Sequence, residues 1–253
     1  MKLVILAGGF GTRISEETRD KPKPMILIGQ KPILWHIMKK YSMYGINDFI
    51  ICCGYKSEVI KNYFLNEFKI IETFQANDYV KLTIYTDSGN WSVTLADTGI
   101  NTMTGGRLKR VEKLIGNDTF HFTYGDTLND LDIIKLEEFH KKNNATCTVT
   151  ACKPPEKYGV LIINNNRVEE FKEKPVREDW INGGYFILEP SIFELLHGDE
   201  TIWEKEPLET LVRNKKLYAY KHYGFYQPMD TISERDFLNN LWNSGNALWK
   251  IWK

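Results

Sequence analysis

The residues best suited to chemistry lie near the start of the chain, in a glycine-rich segment that ends in an arginine. The segment LAGGFGTR spans residues 6–13 and follows the run Lys-Leu-Val-Ile at residues 2–5, which is typical of a buried strand. Glycine leaves backbone N–H groups open to an approaching anion, and Arg13 adds a planar guanidinium suited to phosphate oxygens. The spacing fits neither G-x-G-x-x-G nor G-x-x-x-x-G-K-[ST]. By itself the segment therefore predicts either a phosphate loop or a simple tight turn.

A second cation follows ten residues later. Lys23 stands between two prolines in the segment Lys21–Met25. Proline fixes its own φ and restricts the residue before it, so this backbone should be extended and stiff. We expect Lys23 to be a positioned cation beside the phosphate loop. The alternative is a solvated basic turn.

Two aspartates that are far apart in the chain are candidate metal ligands. Asp126 follows the strand-like run at residues 120–124, and Asp230 lies about a hundred positions further on. Two carboxylates, together with phosphate oxygens and water, suit Mg²⁺, which takes oxygen ligands octahedrally. Either aspartate alone could instead cap a turn. We interpret the nearby Asp130 and Asp132 as residues that begin a helix.

With these neighbours, the glycine-rich segment resembles the signature of the sugar-1-phosphate nucleotidylyltransferases. The similarity continues over most of the chain, at residues 21–25, 28–34, 124–126, 173–175 and 182–184. Three further segments, at residues 103–110, 203–208 and 225–231, resemble the members that use CTP and glucose 1-phosphate. The resemblance implies attack of a sugar-phosphate oxygen on the α-phosphorus of CTP, with Mg²⁺ as cofactor and pyrophosphate as leaving group. Such a transfer depends on positioning and on neutralising phosphate charge.

The resemblance also implies a role for each site residue. Asp126 and Asp230 would hold the metal, and Lys23, Arg13 and Asp126 would be catalytic. The residues implied in nucleotide binding are Leu6, Ala7, Gly8, Gly9, Gly11, Thr12, Arg13, Lys23, Thr104, Gly105, Gly106 and Arg107. Those implied in sugar-phosphate binding are Tyr124, Glu173, Lys174, Asn182, Gly183 and Gly184. Arg107 would recognise O2 and N3 of cytosine; the alternative is that it caps its helix or binds phosphate. For Glu173 and Lys174, the alternative is a surface pair before a proline turn.

The order of apolar runs predicts the elements that must position these residues. In the first half, strands at residues 2–7 and 48–53 alternate with helices at residues 32–44 and 57–68, which favours a parallel sheet with right-handed crossovers. Further strands are predicted at residues 80–85, 93–96, 120–124, 145–152, 159–164, 167–171, 185–188 and 217–222, and further helices at residues 107–115, 133–143, 190–197 and 232–244. We therefore expect an α/β fold: one Rossmann-like domain over residues 1–253, with a mostly parallel mixed sheet flanked by helices, inserted β segments and a C-terminal extension.

Composition restricts the class of protein. Lys and Arg number 33, as do Asp and Glu, so the basic excess of a nucleic-acid-binding protein is missing. The cysteines at positions 52, 53, 147 and 152 lie in strand-like runs without metal-ligand spacing, which predicts buried free thiols in a reducing compartment. No apolar run is long enough to span a membrane. We expect a soluble cytoplasmic protein without nucleic-acid or membrane partners.

The tail at residues 247–253 carries two tryptophans, which predicts either packing onto the same chain or an oligomer contact. By resemblance, a homo-oligomer is expected, specifically a hexamer. Two other functions stay open at this point. One is the same chemistry with another sugar 1-phosphate or another nucleoside triphosphate, and the other is a non-catalytic scaffold with the same fold.

Overall fold

The computed structural model describes residues 1–154, 160–172 and 179–253. Its strands are β1 (Lys2–Leu6), β2 (Leu27–Ile28), β3 (Lys31–Pro32), β4 (Asp48–Cys53), β5 (Lys69–Gln75), β6 (Tyr79–Thr86), β7 (Gly89–Asp97), β8 (Phe120–Tyr124), β9 (Thr127–Asn129), β10 (Cys147–Cys152), β11 (Val160–Asn164), β12 (Arg167–Lys172), β13 (Ile181–Leu188), β14 (Leu217–His222) and β15 (Tyr226–Pro228). Its α-helices are α1 (Ser15–Thr18), α2 (Ile33–Ser42), α3 (Ser57–Glu67), α4 (Thr104–Arg110), α5 (Glu112–Ile115), α6 (Ile133–Lys142), α7 (Glu206–Arg213) and α8 (Ile232–Asn243). Short 3-10 helices span Thr12–Ile14, Lys23–Met25 and Pro190–Leu195.

A nine-stranded mixed sheet lies at the centre, in the order β14-β10-β13-β8-β1-β4-β7-β6-β5. Its middle strands are parallel, with β1 paired to both β4 and β8, and β4 paired to β7. Of the nine strands described in this sheet, β6 and β13 run opposite to the rest. The predicted α/β fold with a mostly parallel mixed sheet is confirmed.

The central strand β1 is buried on both faces of the sheet. Leu3 and Ile5 belong to one core cluster, together with residues of α2, whereas Val4 and Leu6 belong to a second cluster on the other face. This double burial explains why the residues of β1 after Lys2 form a continuous apolar run without polar alternation. It also places the glycine-rich segment that follows Leu6 at the carboxyl edge of the sheet.

Some predicted elements differ from the structure. The helix predicted at residues 107–115 is two helices, α4 and α5, because the backbone leaves the helical conformation at Val111. The helix predicted at residues 190–197 is a 3-10 helix over Pro190–Leu195. The sequence did not predict β5 or α7. Strand β5 was missed because it lies at the sheet edge with nearly all of its side chains exposed, so it lacks the apolar alternation of a half-buried strand.

The C-terminal tail packs onto its own chain. Trp249 is fully buried, stacks on Phe225 with ring centroids 5.7 Å apart, and lies 6.4 Å from the ring of Trp242. Trp252 packs edge-on against Trp35 at 5.6 Å. Of the two expectations for the tail, same-chain packing is therefore confirmed for these tryptophans.

The four cysteines are buried and free, as expected. Burial raises the pKa of both Cys53 and Cys152 to about 12, so these thiols are protonated at neutral pH. Within the described residues, no helix combines the length and the apolar character needed to cross a membrane.

Candidate active site

A cleft of about 820 Å³ opens at the carboxyl ends of β1 and β8. This edge of an open α/β sheet is where such folds bind their ligands, and the volume suits a ligand of drug size or larger. Most of the residues predicted to bind nucleotide, sugar or metal line the cleft, namely Leu6, Ala7, Gly8, Gly9, Gly11, Thr12, Arg13, Lys23, Thr104, Arg107, Tyr124, Asp126, Asn182, Gly184 and Asp230.

The three glycines of the loop differ in their surroundings. A Cβ on Gly8 would lie 2.1 Å from Nη1 of Arg107, so packing within the protein excludes a side chain there. Gly11 has a φ of 66°, a left-handed conformation that favours glycine. A Cβ on Gly9 would meet no atom within 4 Å in the described part of the chain. Gly9 is thus the loop glycine whose backbone stands open to a ligand.

Lys23 lies at the floor of the cleft, between the two predicted metal ligands. Its Nζ is 2.6 Å from Oδ2 of Asp126 and 2.5 Å from Oδ1 of Asp230, and its side chain is 9% exposed. Burial alone lowers the pKa of Lys23, but the carboxylates of Asp126 and Asp230 outweigh it, so the pKa is raised overall. Lys23 is therefore a fully charged, positioned ammonium, as the two prolines predicted.

A short strand pair brings the two aspartates together. Thr127 of β9 pairs with Pro228 of β15, so Asp126 and Asp230 flank the same end of this pair. The backbone N–H of Met229 donates to the carbonyl of Asp126 at 2.9 Å. Asp230 is fixed from its other side, because its N–H donates to Oε2 of Glu234 in the capping region of α8, at 2.7 Å. Two rigid elements thus hold the carboxylate pair.

Of the two nearby aspartates, Asp130 and Asp132, only Asp132 begins a helix as the sequence predicts. Its side chain caps α6 by accepting from the N–H of Lys135 at 3.2 Å. Asp130 instead lies 2.9 Å from Nε2 of His222, away from the helix cap. Neither residue lines the cleft.

Arg13 is the exposed member of the charged cluster. Its Nη1 lies 2.6 Å from Oδ2 of Asp230, and its side chain is 71% exposed. Exposed ion pairs contribute little to stability, so this contact can be exchanged for a phosphate at small cost. Binding of the triphosphate by Arg13 stays a prediction.

Arg107 lies beneath the glycine loop. Its Nη2 donates to the carbonyl of Gly8 at 2.9 Å, and its Nη1 donates to the carbonyl of Gly99 at 2.7 Å. Further contacts reach the carbonyls of Cys53 and Ile100, and burial lowers the pKa of Arg107. These bonds tie the glycine loop and the loop at residues 99–100 to the end of β4, a task that the sequence did not predict. Recognition of cytosine by Arg107 stays a prediction.

Three of the predicted site glycines do not line the cleft. The N–H groups of Gly105 and Gly106 both donate to the carbonyl of Thr201, and a Cβ on Gly106 would lie 2.5 Å from the carbonyl oxygen of Asp199. These two glycines permit close packing of α4 on that segment and do not line the cleft. Gly183 also faces the protein, since a Cβ there would lie 2.5 Å from Sγ of Cys152.

Of the residues predicted to bind the sugar phosphate, Tyr124, Asn182 and Gly184 line the cleft. Gly184 has a φ of 76°, and a Cβ on it would lie 2.6 Å from the ring of Tyr124. Oδ1 of Asn182 accepts from the N–H of Gly184 at 2.8 Å. Glu173 and Lys174, which were also predicted here, lie outside the described residues.

Sequence reasoning missed several residues that line the cleft, including Ile100, Met103, Glu204 and Tyr226. Glu204 is the one with an evident polar role, because Thr104 Oγ1 donates to its Oε2 at 2.7 Å and the hydroxyl of Tyr124 contacts its Oε1. A signal was available, since residues 203–208 formed one of the matching segments but received no role.

Comparison with known proteins agrees with this geometry. The model of the nucleotidyl transferase family matches residues 2–243, and the chain belongs to this family. The chain is 51% identical over 257 residues to the glucose-1-phosphate cytidylyltransferase of Salmonella typhimurium, covering 100% of both chains. A Bacillus subtilis protein, named probable glucose-1-phosphate cytidylyltransferase, is 41% identical over 254 residues, again covering 100% of both. Among solved structures, HddC from Yersinia pseudotuberculosis has a similar fold, with a TM-score of 0.67, 24% identity, and coverage of 95% of this chain and 99% of that one.

Proposed function

We propose that the protein makes CDP-D-glucose and pyrophosphate from CTP and α-D-glucose 1-phosphate. The observation that carries the proposal is the Lys23 ammonium held between Asp126 and Asp230 at the floor of a cleft that the glycine loop borders. The 51% identity to a glucose-1-phosphate cytidylyltransferase over the full length supports the choice of both substrates.

In the proposed reaction, an oxygen of the sugar phosphate attacks the α-phosphorus of CTP in line. The bond from the α-phosphorus to the bridging oxygen breaks, and its electron pair leaves with pyrophosphate. Lys23 and Arg13 provide positive charge where the phosphate oxygens must come together, and backbone N–H groups near Gly9 add donors. This division of labour is what phosphoryl and nucleotidyl transfers require, because positioning and charge neutralisation supply most of the rate.

Asp126 and Asp230 would hold Mg²⁺. Their donor set fits, because two carboxylates from distant segments converge on one cation, at present the Lys23 ammonium, and oxygen ligands are those that Mg²⁺ prefers. When bound, the metal supplies charge neutralisation to phosphate oxygens. Lys23 would then be released from the aspartates toward the phosphates.

The test is pyrophosphate release in the presence of Mg²⁺. CTP, UTP, ATP, GTP and dTTP are each combined with glucose, mannose, galactose and N-acetylglucosamine 1-phosphates. We expect turnover to be confined to CTP with glucose 1-phosphate. Turnover with another pair would keep the chemistry and replace the substrates, and no release with any pair would favour a scaffold.

A substitution identifies the site responsible for that turnover. Asp126→Asn keeps the shape of the side chain but removes one of the two converging charges, so we expect loss of Mg²⁺-dependent pyrophosphate release. Asp132→Asn is the matched control, because Asp132 caps α6 and does not line the cleft. Equal activity in both variants would contradict the role of Asp126.

We also propose that the protein acts in the cytoplasm as a homo-oligomer. Four buried free thiols suit a reducing compartment. The hairpin of β11 and β12 exposes Leu161, Ile163 and Phe171, each at least half accessible, and a two-stranded hairpin is marginally stable by itself. Light scattering coupled to size-exclusion chromatography tests the assembly, where a monomeric mass would contradict it.

A further inference from the structure

Glu204 is a carboxylate in the cleft that the proposed reaction does not use. Among the described residues that line the cleft, Glu204, Asp126 and Asp230 carry carboxylates, and the two aspartates are already assigned to the metal. Glu204 instead connects the two sides of the cleft. It accepts from Thr104, predicted on the nucleotide side, and contacts Tyr124, predicted on the sugar side.

The backbone around Glu204 is held firmly. The preceding residue, Trp203, is fully buried, with its ring edge-on to Phe122 and Phe186 at centroid distances of 5.8 and 5.7 Å. The N–H of Trp203 donates to Oγ1 of Thr104 at 2.9 Å, the same hydroxyl that donates to Glu204. The aromatic anchor therefore fixes where the carboxylate of Glu204 enters the cleft.

The chemistry of Glu204 limits what it can recognise. An ionised carboxylate only accepts hydrogen bonds, and it repels the phosphates that both substrates carry. It has about four acceptor positions, of which Thr104 and Tyr124 use two, so a ligand hydroxyl can be added without breaking either bond. Glu204 therefore suits a neutral hydroxyl group, either on the hexose or on the ribose.

The neighbours of Glu204 favour the hexose. The hydroxyl of Tyr124 contacts Glu204, and its ring lies against Gly184, whose N–H donates to Oδ1 of Asn182 at 2.8 Å. Asn182 and Gly184 line the cleft on the predicted sugar side. Glu204 thus forms one polar cluster with the residues expected to surround the hexose.

We infer that Glu204 accepts a hydrogen bond from a hydroxyl group of the hexose and contributes to the choice of sugar 1-phosphate. This inference rests on the proposed function. It adds a residue on the segment 203–208 to a sugar site otherwise formed by β8 and β13. Glu204 is a specificity-determining residue here, not a catalytic one.

Product binding tests the inference directly. Isothermal titration calorimetry compares CDP-glucose with CDP, which differ by the hexose, on the wild-type protein, on Glu204→Ala and on the control Glu209→Gln. Glu209 lies on α7, exposed and 4.0 Å from Arg213. For Glu204→Ala we expect affinity for CDP-glucose to fall about 10-fold or more, as for loss of a hydrogen bond to a charged group, with affinity for CDP unchanged. An equal fall for both ligands would move Glu204 to the ribose, and no fall would remove it from recognition; either result overturns the inference.

Kinetics separate this inference from the proposed function. Pyrophosphate release by the wild-type protein is measured first, and its absence contradicts the proposed function. If wild-type protein turns over CTP and glucose 1-phosphate, the 2-, 3-, 4- and 6-deoxy analogues of the sugar phosphate are compared. With the wild-type protein, we expect one analogue to have a higher KM than glucose 1-phosphate. With Glu204→Ala, that analogue and glucose 1-phosphate should have the same KM. If the effects of the substitution and of the missing hydroxyl on KM add for every analogue, the role of Glu204 is overturned. If the alanine variant fails to fold, Glu204→Gln, which keeps the side-chain shape, repeats the comparison.

Discussion

Lys23 contacts both predicted metal ligands at once, so in the free protein an ammonium occupies the place between two carboxylates that a divalent cation would take. In Lys23→Met this competing charge is gone. We expect kcat to fall by about 10²–10³, as when one preorganised charge-stabilising group is removed, while Mg²⁺ binding becomes tighter. Turnover assays and Mg²⁺ calorimetry measure the two effects separately.

Lys21→Met is the matched control for this variant, because Lys21 contacts Glu17 at 3.4 Å on the surface near the same turn. It should change neither kcat nor Mg²⁺ affinity. Loss of Mg²⁺ binding in Lys23→Met would show that Lys23 supports the fold of the site instead of competing with the metal.

Two adjacent glycines of the loop should respond differently to alanine. In Gly8→Ala the new Cβ meets Nη1 of Arg107 at 2.1 Å, and we expect a loss of about 1–3 kcal/mol in the free energy of unfolding, as for overpacked sites. In Gly9→Ala the Cβ points into open space, and we expect a change within about 0.5 kcal/mol. Urea denaturation of both variants measures the difference. If Gly8→Ala lowers the free energy of unfolding no more than Gly9→Ala does, Arg107 moves aside freely and the prediction is wrong.

At the scale of elements, helix α2 supports strand β9 through a buried lysine. Lys40 is 2% exposed, donates to the backbone carbonyl of Asn129 at 2.9 Å, and also contacts the side chain of Asn129. Its Nζ lies 5.8 Å from the ring centre of Tyr185. Burial lowers the pKa of Lys40 to about 7, although nearby Asp130, Asp132 and Cys152 oppose the shift. Because β9 begins one residue after Asp126, this contact helps to hold the candidate metal site.

The lowered pKa of Lys40 predicts a pH dependence of stability. Between pH 7 and the unfolded pKa near 10.5, the unfolded chain binds more protons than the folded protein, so stability should rise with pH. Below pH 7 the full penalty of burying the charge applies. Relative to Lys40→Met, we expect the free energy of unfolding of the wild-type protein to increase from pH 7 to 9, by at most about 1.4 kcal/mol per pH unit.

Urea unfolding of both proteins at a series of pH values measures that difference. Lys142→Met serves as the control, because it removes an exposed ammonium from α6 and leaves the buried cluster intact. Parallel pH profiles for the wild-type protein and Lys40→Met would contradict a lowered pKa at Lys40.

The sequence predicted elements well where burial leaves a pattern and poorly where it does not. Strand β4 was predicted at its observed bounds, Asp48–Cys53, because every residue after the first is buried. The pair of β9 and β15 was not predicted, since three-residue strands carry no periodicity, yet it brings Asp126 to Asp230. Glycine itself was also ambiguous: Gly8, Gly105 and Gly183 serve packing within the protein, which a sequence motif does not distinguish from contact with a ligand.

At the scale of the whole molecule, the C-terminal tail depends on a buried histidine. Nε2 of His36 donates to the carbonyl of Ile28 at 2.8 Å, and its Nδ1 accepts from the indole N–H of Trp249 at 3.3 Å. This pattern needs the neutral ring, and burial lowers the pKa of His36 to about 4. Protonation of Nδ1 would replace the acceptor with a donor facing the indole N–H.

We therefore expect acid to weaken the whole fold through this contact. Between pH 6.5 and 4 the unfolded chain binds the proton that the folded protein excludes, so stability falls as pH falls through this range. His36→Gln keeps one donor and one acceptor but does not titrate. Relative to this variant, the wild-type free energy of unfolding should be constant above pH 6.5 and decrease below it, and an identical acid profile would contradict the role of His36.

The contact between Lys23 and Asp230 joins residues that are 207 positions apart. A nascent chain leaving the ribosome therefore presents its glycine loop and its lysine long before the second aspartate exists. Any translation product that stops short of Asp230 carries a nucleotide loop with only half of its carboxylate pair. Synthesis must therefore pass Asp230 before the candidate site can form.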